Sequence, residues 1–421
     1  MVHPSFEQEH TGHSGIDLEQ ARGLVMAEGD LRSAVFQESA QEVSSPVISW
    51  VDVRVKGWGA NGSYQLGDNS GMGRTRPGTV PGLTGAYITS LSTGGDGAGT
   101  GFGLALLSNG TVDAWGYNAL GQLGDGTYAG PRAVPCTVYG LEGVVGIAAG
   151  GGHCLALLGN GTVRGWGYNN YCQLGDPSRN NHPTPVAVPG LEGVIAIAAG
   201  GNHSLALDNN GTVWTWGNND AGQLGAGGTI GTPWARATPE RVPGLTGVQR
   251  IAAGANHSLA VMADQTVRAW GANAYGQLGN NSRNPSSTPV TSVQLGSVTE
   301  IIAGASHSVA LMSDSILQTW GYNLWGQLGN GSSGSAAADR LVPGPVNDSL
   351  ATDITAMAAG SGHTLALRRD GTVLGWGYNN LGQLGDGSTT NRSTPVVVAK
   401  ENGYPRKVIA AAAGGSHSYA I

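Results

Sequence analysis

The sequence is poor in several residue types whose presence would define a class of protein. Its three cysteines, an odd number without CxxC spacing, predict neither a disulfide framework nor a zinc site. Charged residues make up 12% of the 421 positions, about half the usual globular share, which argues against a coiled coil. No apolar run approaches the ~18 residues that a membrane helix requires, so we predict no membrane partner.

Positive charge is also scarce, and most of the acidic excess lies in residues 1–46. The formal net charge is −7, and residues 1–46 contain eight acidic and two basic side chains. Because such a chain gains little from counterion release on a phosphate backbone, we predict no nucleic-acid partner. No basic segment followed by an apolar run is visible at the start, which predicts a cytoplasmic protein and leaves other export routes open. Few lysines beside abundant arginine, glycine and alanine favour a bacterial source.

The abundant residue is glycine, and it belongs to an internal repeat. There are 72 glycines, which suit a turn-rich all-β fold better than helices. A Trp-Gly pair recurs seven times, 50 to 57 residues apart, at Trp58, Trp115, Trp166, Trp216, Trp270, Trp320 and Trp376. A GQLG run follows most pairs, and an HSLAL-like run ending in an Asn-Gly or Asp-Gly hairpin signal precedes them. Four short strands in each copy match one propeller blade.

The two ends of the repeat array are out of phase with the blade. Residues 408–421 supply the first two strands of a blade, whereas residues 51–59 begin at the third. We therefore predict an all-β, seven-bladed β-propeller over residues 47–421, closed by N-terminal and C-terminal strands that share one blade, because closure removes exposed strand edges. Residues 1–46 are predicted to form a short acidic, partly helical extension, which could dock on the propeller or recruit a partner.

The GQLG and HSLAL runs resemble the regulator of chromosome condensation repeat family over residues 47–421, and the composition favours a bacterial-type member. The family includes a guanine-nucleotide exchange factor for Ran, a plant ultraviolet-B photoreceptor and a bacterial inhibitor of β-lactamases. The basic tail of the exchange factor has no counterpart in acidic residues 1–46. The GWRHT runs of the photoreceptor are replaced here by runs such as GGNHS, without tryptophan or arginine. The inhibitor implies a third role, binding a protein through aromatic loop residues on one face.

A set of large apolar residues is expected on one face of the propeller. In a four-stranded antiparallel blade, the first-to-second and third-to-fourth connections emerge on the same side. The variable residue two positions before each Gln-Leu-Gly is mostly large, Phe102 lies beside a lengthened glycine-rich loop, and Trp234 is a tryptophan outside the repeat. We predict a partner-binding set of Phe102, Leu120, Tyr171, Trp234, Tyr275, Trp325 and Leu381. The alternative is that these side chains only cover the top of the core.

Candidate chemistry is harder to find than a candidate binding face. Six histidines recur in the HSLAL-like runs, but equivalent positions in neighbouring blades lie too far apart for one metal ion. We expect each to hydrogen-bond backbone at its glycine turn, and we predict no metal and no cofactor. Adjacent Ser-His pairs point to opposite faces of a strand, so no catalytic residues are identified. The favoured function is a non-catalytic protein-binding propeller acting as scaffold, adaptor or inhibitor. The alternative is an enzyme acting on a small molecule at the channel mouth, and nucleotide exchange is a less favoured third possibility.

Overall fold

The chain folds into seven four-stranded antiparallel sheets, which confirms the predicted seven-bladed propeller. The computed structural model describes residues 55–83, 87–97, 99–231, 235–399 and 408–421, so the predicted extension over residues 1–46 lies outside the described residues. The described residues form 28 strands and one 3₁₀ turn, Ala336–Ala338. Within them, no helix has the length and apolar character needed to cross a membrane.

In the first six blades the strands run in chain order from the inside of the blade to the outside. The chain enters with β1 (Lys56–Gly59) and β2 (Arg74–Thr79). Blade 1 consists of β3 (Ile88–Gly94), β4 (Phe102–Leu107), β5 (Val112–Gly116) and β6 (Arg132–Thr137). Blade 2 consists of β7 (Val144–Ala149), β8 (His153–Leu158), β9 (Val163–Gly167) and β10 (His182–Ala187). Blade 3 consists of β11 (Val194–Ala199), β12 (His203–Asp208), β13 (Val213–Asn218) and β14 (Ala235–Arg241). Blade 4 consists of β15 (Val248–Ala253), β16 (His257–Met262), β17 (Val267–Gly271) and β18 (Ser286–Thr291). Blade 5 consists of β19 (Val298–Ala303), β20 (His307–Met312), β21 (Leu317–Gly321) and β22 (Arg340–Pro345). Blade 6 consists of β23 (Ile354–Ala359), β24 (His363–Arg368), β25 (Val373–Gly377) and β26 (Arg392–Val397).

The seventh blade joins the two ends of the described chain. Its inner strands are β27 (Ala411–Ala413) and β28 (His417–Ala420), and its sheet order is β2-β1-β28-β27. β1 pairs antiparallel with β28, with Lys56 opposite Ala420 and Gly59 opposite His417. The first strands of all seven blades then lie side by side in a closed ring around a central channel.

Each blade is joined to the one before it through a buried tryptophan. The seven indoles of the Trp-Gly pairs are fully buried, and each donates its Nε1–H to the main-chain oxygen of the glutamine in the preceding blade's Gln-Leu-Gly run, at 2.8 to 3.0 Å. In five joints the serine or threonine after the histidine donates its hydroxyl to the same oxygen. The repeated residues are thus explained by contacts between blades.

The outermost strands protect the rim of the disc. Each of the seven fourth strands contains a proline, and each departs from regular register where it pairs with the third strand. A proline cannot donate to a further strand, and an irregular register twists the edge. The rim is therefore a poor template for strand addition.

The joint between the seventh and first blades uses a tyrosine hydroxyl in place of a serine or threonine hydroxyl. Gly103 stands where the other blades carry serine, threonine or cysteine, so blade 1 supplies no hydroxyl. The Tyr419 hydroxyl replaces it, donating to the Gln65 main-chain oxygen and accepting from Trp115 Nε1 at 2.8 Å. Tyr419 is fully buried and its ring meets Trp115 edge-on, with centroids 5.4 Å apart.

The variant Tyr419→Phe is expected to weaken this joint. It removes one buried donor and acceptor while the indole of Trp115 keeps its bond to Gln65, so we expect a loss of about 1–2 kcal/mol in the free energy of unfolding. Guanidinium denaturation followed by tryptophan fluorescence measures it, with Tyr139→Phe as control because that side chain is 69% exposed. Equal midpoints for both variants would show that the hydroxyl contributes nothing to closure.

Candidate functional site

The candidate site is the face where two kinds of loop meet around the channel. The loops between first and second strands form the channel mouth, and the loops between third and fourth strands lie beside them. Trp325 packs on Gly362, where a Cβ would lie 2.6 Å from its Cε3 atom, and Leu120 packs on Gly152 in the same way at 3.1 Å. Side chains of one loop type therefore cover the backbone of the other.

The recurring histidines hold neighbouring blades together. His153, His203, His257, His307 and His363 are fully buried, and Nε2 of each lies 2.9 to 3.1 Å from the serine or threonine hydroxyl of the next blade. Because that hydroxyl donates to a main-chain oxygen, we assign the proton to Nε2 of the imidazole. His417 Nε2 lies 3.3 Å from the main-chain oxygen of Phe102. The prediction that each histidine bonds to backbone at its glycine turn is therefore wrong for the first five histidines, whose imidazoles bond to hydroxyl groups instead.

Burial keeps these imidazoles neutral. Loss of hydration lowers the pKa of His153, His203, His257 and His363 to about 3 and that of His307 and His417 to about 4. No group of three or more histidine, cysteine, aspartate or glutamate side chains placed to hold a metal occurs among the described residues. The histidines are a structural device of the joints.

Two amides fix each loop between third and fourth strands, and sequence reasoning missed both. The asparagine three residues after each repeated tryptophan is buried, and its Oδ1 accepts the amide of the leucine in Gln-Leu-Gly, as Asn323 does for Leu328 at 2.9 Å. The glutamine of that run accepts the amide of the residue two positions earlier, as Gln327 Oε1 does for Trp325 at 3.1 Å. The same bonds hold the backbone of Leu120, Tyr171, Tyr275 and Leu381. Recurrence of these amides in the repeat was the signal that could have revealed them.

Acid–base pairs close several of the same loops. Arginine and aspartate join at 2.6 to 2.8 Å in the pairs Asp68–Arg74, Asp125–Arg132 and Asp386–Arg392, and His182 replaces the arginine beside Asp176. Burial raises the pKa of these carboxyls, but hydrogen bonds from nearby hydroxyls and the basic partner outweigh it, so each pKa is lowered. These loops are rigid supports for the side chains at their tips.

Four aromatic side chains form a continuous row across blades 4 to 6, which we call the aromatic ridge: Tyr275, Tyr322, Trp325 and Tyr378. Successive ring centroids lie 4.4, 5.4 and 5.0 Å apart. Tyr275 is 38% exposed and the other three are partly exposed. The sequence indicated Tyr275 and Trp325 but not the two tyrosines between and beyond them.

An ion pair anchors one end of the aromatic ridge. Arg283 Nη1 donates to the main-chain oxygen of Ala274 at 2.7 Å and to Asp339 Oδ2 at 3.1 Å. Asp339 Oδ1 accepts the amide of Asn323 at 3.0 Å. The loop of blade 4 that carries Tyr275 is thereby tied to the loop of blade 5 that carries Tyr322.

At the channel mouth lies an open cavity of about 290 Å³, lined mainly by glycine and alanine. Backbone bonds link neighbouring blades around it, as from Gly95 N to Gly150 O at 3.1 Å and from Gly151 N to Gly200 O at 3.2 Å. Among the described residues that line the cavity, Asp96 is the one with an ionisable side chain. It lies on the lengthened loop of blade 1.

Comparison with known proteins identifies the family to which this propeller belongs. The model of the RCC1-like domain matches residues 54–420. The chain belongs to the RCC1-like family. It is 32% identical over 369 residues to the ultraviolet-B receptor UVR8 of Arabidopsis thaliana, covering 86% of this chain and 69% of the receptor. It is also 32% identical over 371 residues to the human E3 ubiquitin-protein ligase HERC2, of which it covers 6%. The crystal structure of Prp20p from Saccharomyces cerevisiae superposes with a TM-score of 0.75 at 25% identity, covering 88% of this chain and 92% of that one.

The other predicted contact residues of this RCC1-like propeller fall into three groups. Tyr171 is partly exposed and meets Tyr168, with ring centroids 6.2 Å apart, whereas Leu381 is 37% exposed at its loop tip. Leu120 is partly buried against Gly152. Trp234 lies outside the described residues. Their role in binding stays a prediction.

Phe102 requires a correction. It is fully buried in a hydrophobic cluster with Leu104 and Trp166, so its side chain cannot contact a partner at the face. Its ring occupies the place that an imidazole takes in other blades, against Gly94. The facing position of blade 2 carries Cys154 instead of a serine, so an apolar ring replaces the histidine at the joint where the hydroxyl is also absent.

Proposed function

We propose that this RCC1-like propeller is a non-catalytic protein-binding module, a scaffold, adaptor or inhibitor, that docks its partner on the aromatic ridge. The observation that carries the proposal is the contact of Tyr275, Tyr322, Trp325 and Tyr378 across three blades. Tyrosine and tryptophan are the side chains that most often dominate the binding energy of protein interfaces.

The rigidity of the ridge supports the same function. The asparagine and glutamine bonds and the Arg283–Asp339 pair fix the loops before a partner arrives. A surface ordered in advance loses little conformational entropy on binding. Prp20p, which shares this fold, has binding properties toward Gsp1p and histones; these belong to that protein and are a precedent for the fold as a binding surface.

An enzyme at the channel mouth is the less favoured alternative. General acid–base catalysis needs titratable groups that converge on one substrate. The described residues lining the cavity contribute one such group, Asp96, set among backbone and small side chains. The balance of observations favours binding.

We propose a bacterial source and a cytoplasmic location. The low lysine content beside abundant arginine, glycine and alanine supports the first, and the second is the expectation stated from the sequence. The relatives named above are eukaryotic.

Removing two of the four side chains of the aromatic ridge is expected to weaken partner capture. We expect the double variant Tyr275→Ala, Trp325→Ala to lower the affinity for captured proteins at least about tenfold, because two aromatic anchors are lost. Quantitative capture from a cell extract, followed by calorimetry with the main captured protein, measures the effect.

The matched control removes two exposed aromatic side chains from the opposite face. Tyr87 and Tyr139, which are 54% and 69% exposed, precede first strands or follow fourth strands, so they lie at the other end of blade 1. Tyr87→Ala, Tyr139→Ala should capture the same proteins as the unaltered chain. Equal capture by all three proteins would place the binding surface elsewhere.

A further inference from the structure

The channel mouth holds an acidic group that the aromatic ridge does not explain. Asp96 lies on the loop between β3 and β4, which is five residues longer than the GGNH-type loops of other blades. Its carboxylate reaches over the neighbouring blade, so that a Cβ on Gly151 would overlap Asp96 Oδ1. The carboxylate therefore stands over the joint between blades 1 and 2, at the rim of the cavity.

The surroundings of this carboxylate supply oxygen atoms rather than positive charge. The position that a Cβ on Gly151 would take is also 2.7 Å from the main-chain oxygen of Gly201, so both oxygens lie against the Cα of Gly151. All three residues line the cavity, and we call the side of the cavity next to these two oxygens the notch. No ion pair or hydrogen bond to the Asp96 carboxylate is formed by the residues that the structure describes around it, although its own amide donates to Thr100 Oγ1 at 3.0 Å. The Asp96 side chain is exposed at the rim, and the protein atoms around its carboxylate reduce its hydration enough to raise its pKa.

The oxygen atoms fit one class of ligand better than the others. A carbonyl oxygen has two lone pairs, and Gly201 O uses one to accept the amide of Gly151 at 3.2 Å. An ammonium group carries three donors on a compact centre, which matches one carboxylate and adjacent carbonyls. Calcium would need six to eight oxygen ligands, usually with several carboxylates, and the notch supplies one carboxylate. Alanine side chains also line the cavity below the mouth.

We propose that the notch formed by Asp96, Gly151 and Gly201 receives a protonated primary amine, the side chain of a lysine on the protein that docks on the aromatic ridge. The lysine as source rests on the proposed function, because both loop types belong to the same face. The amine site itself does not depend on a partner. This division makes the two ideas separately testable.

The amine site is tested with n-butylammonium, which mimics the lysine side chain. Amide NMR spectra of the isotope-labelled chain are recorded at about pH 7 during titration with n-butylammonium chloride at constant ionic strength. We expect saturable shifts at Gly95, Gly151 and Gly201 and an affinity at least about fivefold lower in Asp96→Asn. Asp220→Asn, an acid on the same face whose carboxylate already accepts from Asn218 Nδ2 at 3.3 Å, should behave as the unaltered chain.

Three outcomes overturn the site. They are an affinity of Asp96→Asn within about twofold of the unaltered chain, equal shifts with neutral n-butanol, and equal shifts with sodium or guanidinium ions. The last result would mean that charge alone is sensed, without recognition of an ammonium group.

The lysine source is tested with the partner that the ridge captures. We expect Asp96→Asn to lower the affinity for that protein about five- to thirtyfold while the Asp220→Asn chain binds normally. Unchanged partner affinity in a chain that has lost n-butylammonium binding would overturn the lysine as ligand. If no protein is captured at all, the proposed function fails, whereas the n-butylammonium result still decides the amine site.

Discussion

Lowering the pH from about 7.5 to about 5 is expected to unfold the propeller. Six fully buried histidines have pKa values of about 3 or 4 in the folded chain, whereas an exposed histidine in the unfolded chain titrates near 6.5. The unfolded chain therefore takes up protons first as the pH falls. Stability is complete above about pH 6.5 and is lost progressively toward the folded-state pKa values.

The size of this effect follows from the number of histidines. Each contributes at most about 1.4 kcal/mol per pH unit, so six contribute about 8 kcal/mol per unit. A whole domain is stable by only about 5–15 kcal/mol. The aspartates with lowered pKa add to the loss only below about pH 4, after the histidines have acted. Guanidinium denaturation at a series of pH values, followed by tryptophan fluorescence, measures the slope.

The joint between blades 1 and 2 suggests a control variant. Phe102 and Cys154 show how a joint is built without a histidine and hydroxyl. The double variant His257→Phe, Ser308→Cys copies that joint into the bond between blades 4 and 5, and it should reduce the pH slope by about one sixth. A free energy of unfolding that stays constant between about pH 7 and pH 5 would contradict the role given to the histidines.

The second large effect is expected from one methyl group at the channel mouth. A Cβ on Gly254 would overlap the ring of His257 and would lie 2.6 Å from the main-chain oxygen of Gly304 in the next blade. Neither neighbour can yield easily, because the imidazole is bonded to Ser308 and the carbonyl belongs to the ring of first strands. We expect Gly254→Ala to lower the free energy of unfolding by about 3 kcal/mol or more.

The control for this variant is Gly62→Ala. Gly62 lies on a loop between third and fourth strands with no atom within 4 Å of a Cβ, so the same chemical change meets open space. Chemical denaturation of both variants gives the comparison. A Gly254→Ala midpoint equal to that of Gly62→Ala would mean that the ring of first strands expands without cost.

The fold was predictable because its sequence motifs repeat along the chain, whereas the candidate site depends on contacts between side chains of different blades. Seven Trp-Gly pairs and an out-of-phase end identified the blades and their closure. Tyr322 and Tyr378 were missed because each contacts an aromatic ring of the preceding blade, and the spacing of blades cannot be read from a single repeat.

The error at Phe102 has a different origin. The inserted glycines before it suggested a specialised exposed loop, although alignment with the buried histidines already indicated the interior. The lengthened loop does carry a special group, but it is Asp96 rather than Phe102. The composition of a loop can indicate that it departs from the repeat, but the packing of its side chains is needed to show which of them is exposed.

The shared seventh blade also has a kinetic consequence. Lys56 pairs with Ala420, so all the residues between them must be synthesised before β1 can pair with β28. Until then the nascent protein is an open crescent with two unsatisfied strand edges, and joining them requires the slowest kind of long-range encounter. A delay in the synthesis of β28 would leave this crescent available to chaperones or to a second, equally unfinished copy.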